Sequence, residues 1–181
     1  MRQKTKMKIA IVSDTHGNEA NFKKAVQWIN KQKIKIILHC GDIGSSESLK
    51  ESLEDFKGEF FGVFGNMDDG LDNSVDYYKK IPNAKIEKKT LEAEIDEKCI
   101  AITHFPAEAR ELVRSGKYNM VFYGHTHKAY LARQNLKGEG GGRKECLLIN
   151  PGEMAGHFFK PTFAVYDTKT DILELKILEK L

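Results

Sequence analysis

Side chains able to bind metal ions recur in this sequence where short apolar segments end. There are seven of them: Asp14, His16, Asp42, Asn66, His104, His125 and His127. In a parallel α/β sheet the carboxyl ends of the strands share one edge, and ligands bind in the crevice there. A single histidine at a strand end is more often structural, but the same pattern after five apolar segments argues against chance. We expect the seven side chains to converge.

The seven side chains form a mixed nitrogen and oxygen ligand set. Two aspartates, one asparagine and four histidines suit Mn, Fe, Co, Ni or Zn, and they lack the thiolates of most structural zinc sites. A single ion of this kind cannot bind seven protein ligands. Two ions that share one carboxylate would each take three or four and keep positions for water and substrate. The set therefore predicts a dinuclear metal centre.

The spacing within two ligand pairs leaves two geometries open. In Asp14-x-His16 and in His125-x-His127, both members would face one pocket if the segment stays extended. Alternatively, a turn in the loop would direct the two members of a pair toward different ions. Other candidates are given lesser roles: His39 is predicted to be structural or to support a ligand, Cys40 to be a small buried residue, and His157 to lie in a loop without an assigned role.

The periodicity of apolar residues predicts the elements that position these side chains. Three buried strands are predicted in the first half, at residues 7–12, 34–40 and 59–65. Between them, a helix is predicted over 18–32. A second helix is predicted to begin at Ser45 or Ser46 and to carry on one face Leu49, Leu53 and Phe56. This alternation favours parallel pairing in an α/β domain whose helices cover the sheet.

The second half is predicted to be mostly β. The predicted strands lie at residues 85–95, 98–103, 119–123, 128–134, 145–149, 162–167 and 171–178. One helix is predicted, with Pro106 in its first turn and Gly116 just beyond its end at Ser115. The glycine-rich segment GEGGGRK (138–144) is predicted to be a hairpin tip and not a phosphate-binding loop, because no helix follows it.

Composition is typical of a soluble globular protein, and we expect one domain over residues 1–181. Hydrophobic residues make up 40% and charged residues 30%. The net charge of +3 is dispersed, so nucleic-acid binding is not indicated. Three widely spaced cysteines form no disulfide framework, and no apolar run approaches the roughly 20 residues that span a bilayer. We expect a cytoplasmic protein without a membrane partner.

Five short motifs together resemble the calcineurin-like metallophosphoesterase superfamily, in the order and spacing of its small prokaryotic phosphodiesterase branch. They are SDTHGN (13–18), Gly41-Asp42, Gly65-Asn66, Thr103-His104 and GHTH (124–127). The resemblance extends from Lys8 to about Leu175. It implies an α/β fold that is a four-layer αββα sandwich, with two facing mixed sheets flanked by helices. It also implies a dinuclear metal site at one edge of the sheets.

The resemblance further implies a role for each ligand and a reaction. Asp14, His16 and His127 would bind the first ion, and Asn66, His104 and His125 the second. Asp42 would bridge the two ions and hold the nucleophilic hydroxide, so that Asp42, His104 and His125 are the implied catalytic residues. The implied cofactors are two divalent ions per chain, Mn first, with Ni, Co, Fe or Zn as alternatives.

The implied enzyme is a hydrolase acting on ester bonds, a phosphodiesterase in which hydroxide attacks phosphorus in line. Its substrate would be a small phosphate ester, and a homodimer is possible by analogy with relatives. Two alternatives stay open: a phosphomonoesterase with the same chemistry, and a protein-binding scaffold of the same fold. All four ligand histidines are present, which disfavours the scaffold.

Two positions depart from the pattern of the family. Many members have a histidine after the asparagine of the Gly-Asn motif, where it is thought to protonate the leaving oxygen; this chain has Met67, whose thioether cannot donate a proton. Asp68 is interpreted as a residue that holds a histidine or the loop. Phe105 and Pro106 follow His104 where relatives often have glycine and a polar residue. We expect slow hydrolysis of simple alkyl phosphates.

Overall fold

The computed structural model describes residues 7–68, 75–137 and 143–181. Within these ranges the strands are β1 (Lys8–Val12), β2 (Ile36–His39), β3 (Glu59–Val63), β4 (Ala84–Glu87), β5 (Thr90–Ile95), β6 (Lys98–Thr103), β7 (Met120–Phe122), β8 (Tyr130–Lys137), β9 (Arg143–Asn150), β10 (Thr162–Asp167) and β11 (Ile172–Ile177). The helices are α1 (Glu19–Lys31), α2 (Ser46–Ser52), α3 (Val75–Tyr78) and α4 (Pro106–Arg114), followed by a 3-10 turn at Leu178–Lys180.

The strands form two mixed sheets. The first has the order β11-β10-β1-β2-β3-β4 and the second the order β5-β6-β7-β9-β8. Strands β1 to β4 run parallel, as do β6, β7 and β9, whereas the remaining pairings are antiparallel. Val12 pairs with His39, and His39 with Gly62, so that β1, β2 and β3 end side by side. This alignment brings their following loops to one edge.

Alternation along β1 shows how the layers pack. Ile9 and Ile11 face the second sheet and pack in a core that includes Phe122. Ala10 and Val12 face the other way, into a core with the buried face of α1. Because successive strand side chains point to opposite faces, one strand serves both layers. Helix α4 covers the second sheet from outside. The predicted four-layer αββα sandwich is confirmed.

Two predicted elements are wrong in their limits. The single strand predicted over 85–95 is broken at Lys88 and Lys89, because β4 belongs to the first sheet and β5 to the second. The predicted second helix ends at Ser52, so Leu53 and Phe56 lie beyond it, although both are buried. Ser45 caps this helix through its side chain and the backbone of Ser48.

Strands β8 and β9 pair as an antiparallel hairpin. The glycines of the predicted GEGGGRK tip lie at 138–142, outside the described residues. No helix in the described ranges is both long enough and apolar enough to cross a membrane.

Candidate metal centre

The loops that follow five strands bring all seven candidate ligands to the same edge of the sandwich. Asp14 and His16 follow β1, Asp42 follows β2 and Asn66 follows β3. From the second sheet, His104 follows β6, while His125 and His127 follow β7. The edge therefore lies at the junction of the two sheets.

Five of these residues have a left-handed backbone: φ is 52° at Asp14, 45° at His16, 54° at Asp42, 67° at His125 and 59° at His127. This conformation is uncommon for residues other than glycine and costs of order 1–3 kcal/mol each. The two D-x-H and H-x-H segments are consequently turned and not extended. Asp14 and His16 nevertheless reach the same group of side chains, whereas His125 and His127 point into different groups.

Glycines before the ligands allow the loops to approach each other. A Cβ at Gly65 would lie 2.1 Å from Asp42 Oδ1, and one at Gly41 would lie 2.6 Å from His104 Nδ1. Both distances are shorter than any side chain tolerates. The Gly-Asp and Gly-Asn dipeptides are thus needed for the ligands to converge.

One group of side chains consists of Asp14, His16, Asp42 and His127. Each offers an atom that lies within 4.8 Å of the others, so the four could hold a metal ion. His127 Nε2 is 3.3 Å from His16 Nε2 and 3.5 Å from Asp14 Oδ1. His16 Nε2 is 3.7 Å from Asp42 Oδ2. We call Asp14, His16 and His127 the first half of the site.

The other group is centred on Asn66. Its Oδ1 is 3.1 Å from His104 Nε2 and 2.9 Å from His125 Nδ1. His104 Nε2 is also 3.5 Å from the same Asp42 Oδ2 atom that faces His16. Asn66, His104 and His125 form the second half of the site, and Asp42 lies between the two halves.

The tautomers of His104 and His127 direct the lone pair of each ring toward atoms of other candidate ligands. His104 Nδ1 is 2.8 Å from the carbonyl oxygen of Cys40, which can only accept a proton, so the neutral ring carries its lone pair on Nε2. That lone pair faces the oxygens of Asn66 and Asp42. His127 repeats the arrangement, because its Nδ1 is 2.8 Å from Glu153. Converging lone pairs without protons suit a cation, and this donor set fits divalent metal ions.

The buried carboxylates set the charge of the site. Burial raises the pKa of Asp14 to about 6, and Asp14 Oδ2 has no hydrogen-bond partner. Burial also raises the pKa of Asp42, but a protonated His104 outweighs burial through its hydrogen bond and charge, so the pKa of Asp42 lies below its ordinary value. Burial lowers the pKa of His104, but Asp42 in turn raises it above its ordinary value, and a bound cation would take the place of that ring proton. Burial lowers the pKa of His16 and of His125, which favours neutral rings with free lone pairs.

Two supporting carboxylates complete the site. Glu153 is fully buried after β9 and accepts the Nδ1 proton of His127. Apart from its place after Asn-Pro-Gly, no pattern in the sequence indicates this role. Asp68 accepts backbone N–H groups of Ile43, Gly44 and Gly65 at 2.8 to 3.0 Å. These contacts join the loops after β2 and β3. Of the two roles predicted for Asp68, the structure shows the loop-holding one.

His39 is structural. Its Nδ1 accepts the Gly41 N–H and its Nε2 is 3.1 Å from Thr15 Oγ1, while burial lowers its pKa to about 3. Cys40 is buried as predicted. His157 lies beside the first half, with its ring 5.2 Å from that of His16.

Comparison with known proteins agrees with this geometry. The calcineurin-like phosphoesterase superfamily domain matches residues 7–171. Phosphodiesterase MJ0936 of Methanocaldococcus jannaschii is 31% identical over 166 residues, which cover 90% of this chain and 94% of that protein.

Two solved structures extend the comparison. An archaeal phosphodiesterase is 30% identical with a TM-score of 0.79, covering 94% of this chain and 99% of that one. A phosphoesterase from E. coli shares the fold at 17% identity, with a TM-score of 0.67 over 96% of this chain and 94% of that one. The chain therefore belongs to the calcineurin-like phosphoesterase superfamily, as its motifs predicted.

Proposed function

We propose that this chain is a metal-dependent phosphodiesterase with two divalent ions, Mn first, in one domain over residues 1–181. In this proposal Asp14, His16 and His127 hold one ion, and Asn66, His104 and His125 hold the other. Two bound ions would lower the pKa of a shared water from about 15.7 toward neutrality and would attract the phosphoryl oxygens. The reaction is hydrolysis by in-line attack of hydroxide on phosphorus.

The position of Asp42 carries the proposal. One carboxylate oxygen faces His16 at 3.7 Å and His104 at 3.5 Å, one from each half of the site. The other oxygen accepts the Met67 N–H at 2.8 Å, which fixes the carboxylate plane. An oxygen that bridged two ions would lie close to ligands of both, and a second contact would limit rotation of its carboxylate. The contacts of Asp42 support this role on both counts.

The surroundings of the phosphate position favour diesters with acidic leaving groups. Met67 cannot donate a proton, so the leaving oxygen must depart with little protonation. Aromatic rings of Phe105 and Phe158 lie against ligand histidines, and apolar walls suit ester substituents better than the second charge of a monoester. The relative named a phosphodiesterase supports the same preference. Phosphomonoesterase activity is the second candidate.

The test compares bis(4-nitrophenyl) phosphate with 4-nitrophenyl phosphate, using protein stripped with a chelator and reloaded with Mn, Ni, Co or Zn. We expect no turnover of the stripped protein, recovery on reloading, and a higher kcat/KM for the diester. Faster hydrolysis of the monoester would make the protein a phosphatase. If metal analysis found two ions per chain but neither ester was hydrolysed, the protein would act on a different substrate class. If the protein neither bound metal ions nor hydrolysed either ester, the scaffold function would be favoured.

A further inference from the structure

A large apolar side chain is held in solvent next to the first half of the site. Phe158 is 75% exposed, and its ring lies edge-on to the ring of His127 with centroids 5.0 Å apart. Exposing a phenyl ring in this way forfeits the stabilisation that burial would give. An exposed aromatic residue beside a polar site is a candidate contact for a ligand.

The loop that carries Phe158 is anchored by Glu153. This buried carboxylate accepts backbone N–H groups from His157 at 2.9 Å, from Phe158 at 2.6 Å and from Phe159. The same carboxylate receives the Nδ1 proton of His127. The exposed ring is therefore not at a loose loop tip, because one carboxylate fixes both the loop backbone and the ligand histidine.

A second ring lies beside the second half of the site. Phe105 precedes α4, and its ring centroid is 4.9 Å from that of His104 and 5.0 Å from that of His125. Both histidines belong to the second half. Each half is thus bordered by one phenyl ring.

We propose that Phe158 and Phe105 are the two walls of the substrate site and that each accepts a flat, aromatic ester substituent of a phosphodiester. The proposal rests on the proposed function and names its substrate class. Aromatic rings gain from edge and offset contacts beyond the area they bury, whereas a methyl ester offers no such surface. The walls therefore select diesters with two aromatic groups over diesters with one.

The test uses two substrates with the same leaving group, bis(4-nitrophenyl) phosphate and methyl 4-nitrophenyl phosphate, and Mn-loaded protein. Phe158→Ala should lower kcat/KM for the first by about 3- to 10-fold, mainly through KM, and change the second less than twofold. Phe158→Tyr should restore the preference. Phe159→Ala is the matched control, since it removes a neighbouring exposed ring and keeps the N–H to Glu153.

An equal loss on both substrates, or no loss on either, would overturn the inference. A binding measurement separates it from the proposed function. Titration calorimetry measures the affinity of Mn-loaded protein for diphenyl phosphate and, separately, for dimethyl phosphate. This measurement does not depend on turnover. Weaker binding of diphenyl phosphate alone by Phe158→Ala, with inorganic phosphate unaffected, supports the walls even if the protein hydrolyses neither ester. Unchanged binding of diphenyl phosphate contradicts them.

Discussion

The two halves of the candidate site have similar geometry but different charge. The first half contains the carboxylate of Asp14, and its His127 is backed by the buried carboxylate of Glu153. The second half has the neutral amide of Asn66 in the place of a carboxylate, and its His104 is backed by a backbone carbonyl. Only Asp42 brings formal negative charge to both halves.

This difference indicates that the two halves have different roles, one in retaining a metal ion and the other in attracting the phosphate. A carboxylate behind a histidine raises the basicity of the ring and fixes its orientation, so that the ring binds metal more strongly. A carbonyl fixes the ring without adding charge. We expect the first half to retain its ion and the second half to leave more positive charge for the phosphate.

The largest effect is expected from Asp42→Asn, because this change removes the shared charge from both halves at once. Turnover of a diester should fall by about 10³-fold, the upper end of what a single preorganised polar group contributes in an active site. Steady-state kinetics with Mn-loaded protein measures it, and circular dichroism checks the fold. Asp55→Asn, at an exposed turn, is the control. A variant with more than a tenth of the activity would exclude a bridging role for Asp42.

The next effect is expected from Glu153→Gln, because among the seven candidate ligands Glu153 contacts only His127 of the first half. The affinity of the tighter ion should fall by about 10- to 100-fold, as for other groups that hold a metal-binding histidine. The weaker ion should be unaffected. Calorimetric titration of metal-free protein with Mn measures both, and Glu179→Gln, whose exposed carboxylate pairs with Lys160, is the control. Equal weakening of both ions would mean that the halves are not independent.

A change of Asn66→Asp should make the two halves more alike. The added carboxylate should tighten the weaker ion by about tenfold, which is 1.4 kcal/mol. Turnover should fall, since the second ion then has less charge to offer the phosphate. The same Mn titration, combined with kcat for bis(4-nitrophenyl) phosphate, measures both. Faster turnover together with tighter metal binding would contradict these different roles. Asn66→Ser is the control, because it removes the amide without adding a charge.

The sequence was sufficient to predict which side chains meet at the edge of the sheets but not the groups that support them. The ligands follow apolar segments, and strand ends meet because parallel strands are aligned. Glu153 and Asp68 act through backbone N–H groups of other loops, and no spacing in the sequence records which loops approach. The break between β4 and β5 at Lys88 cannot be predicted for a similar reason. The pattern of apolar residues does not show that the chain passes there from the first sheet to the second.

The smallest effect is expected from a change at Met67, next to the second half, where the chain lacks a general acid. Met67 is 60% exposed, although its N–H is bound by Asp42. Met67→His would place a proton donor beside the leaving oxygen, but an exposed side chain is poorly positioned, so the gain should be about fivefold and not the roughly 10²-fold of a well-placed acid.

The gain from Met67→His should depend on the substrate. It should appear with an alkyl diester, whose leaving group needs a proton, and be absent with bis(4-nitrophenyl) phosphate, whose leaving group does not. Met67→Gln is the control, because glutamine has hydrogen-bonding groups but supplies no titratable proton. An equal gain on both substrates would show that the histidine acts on binding. The expected low activity on alkyl esters would then be caused by the charge of the second half and not by a missing proton donor.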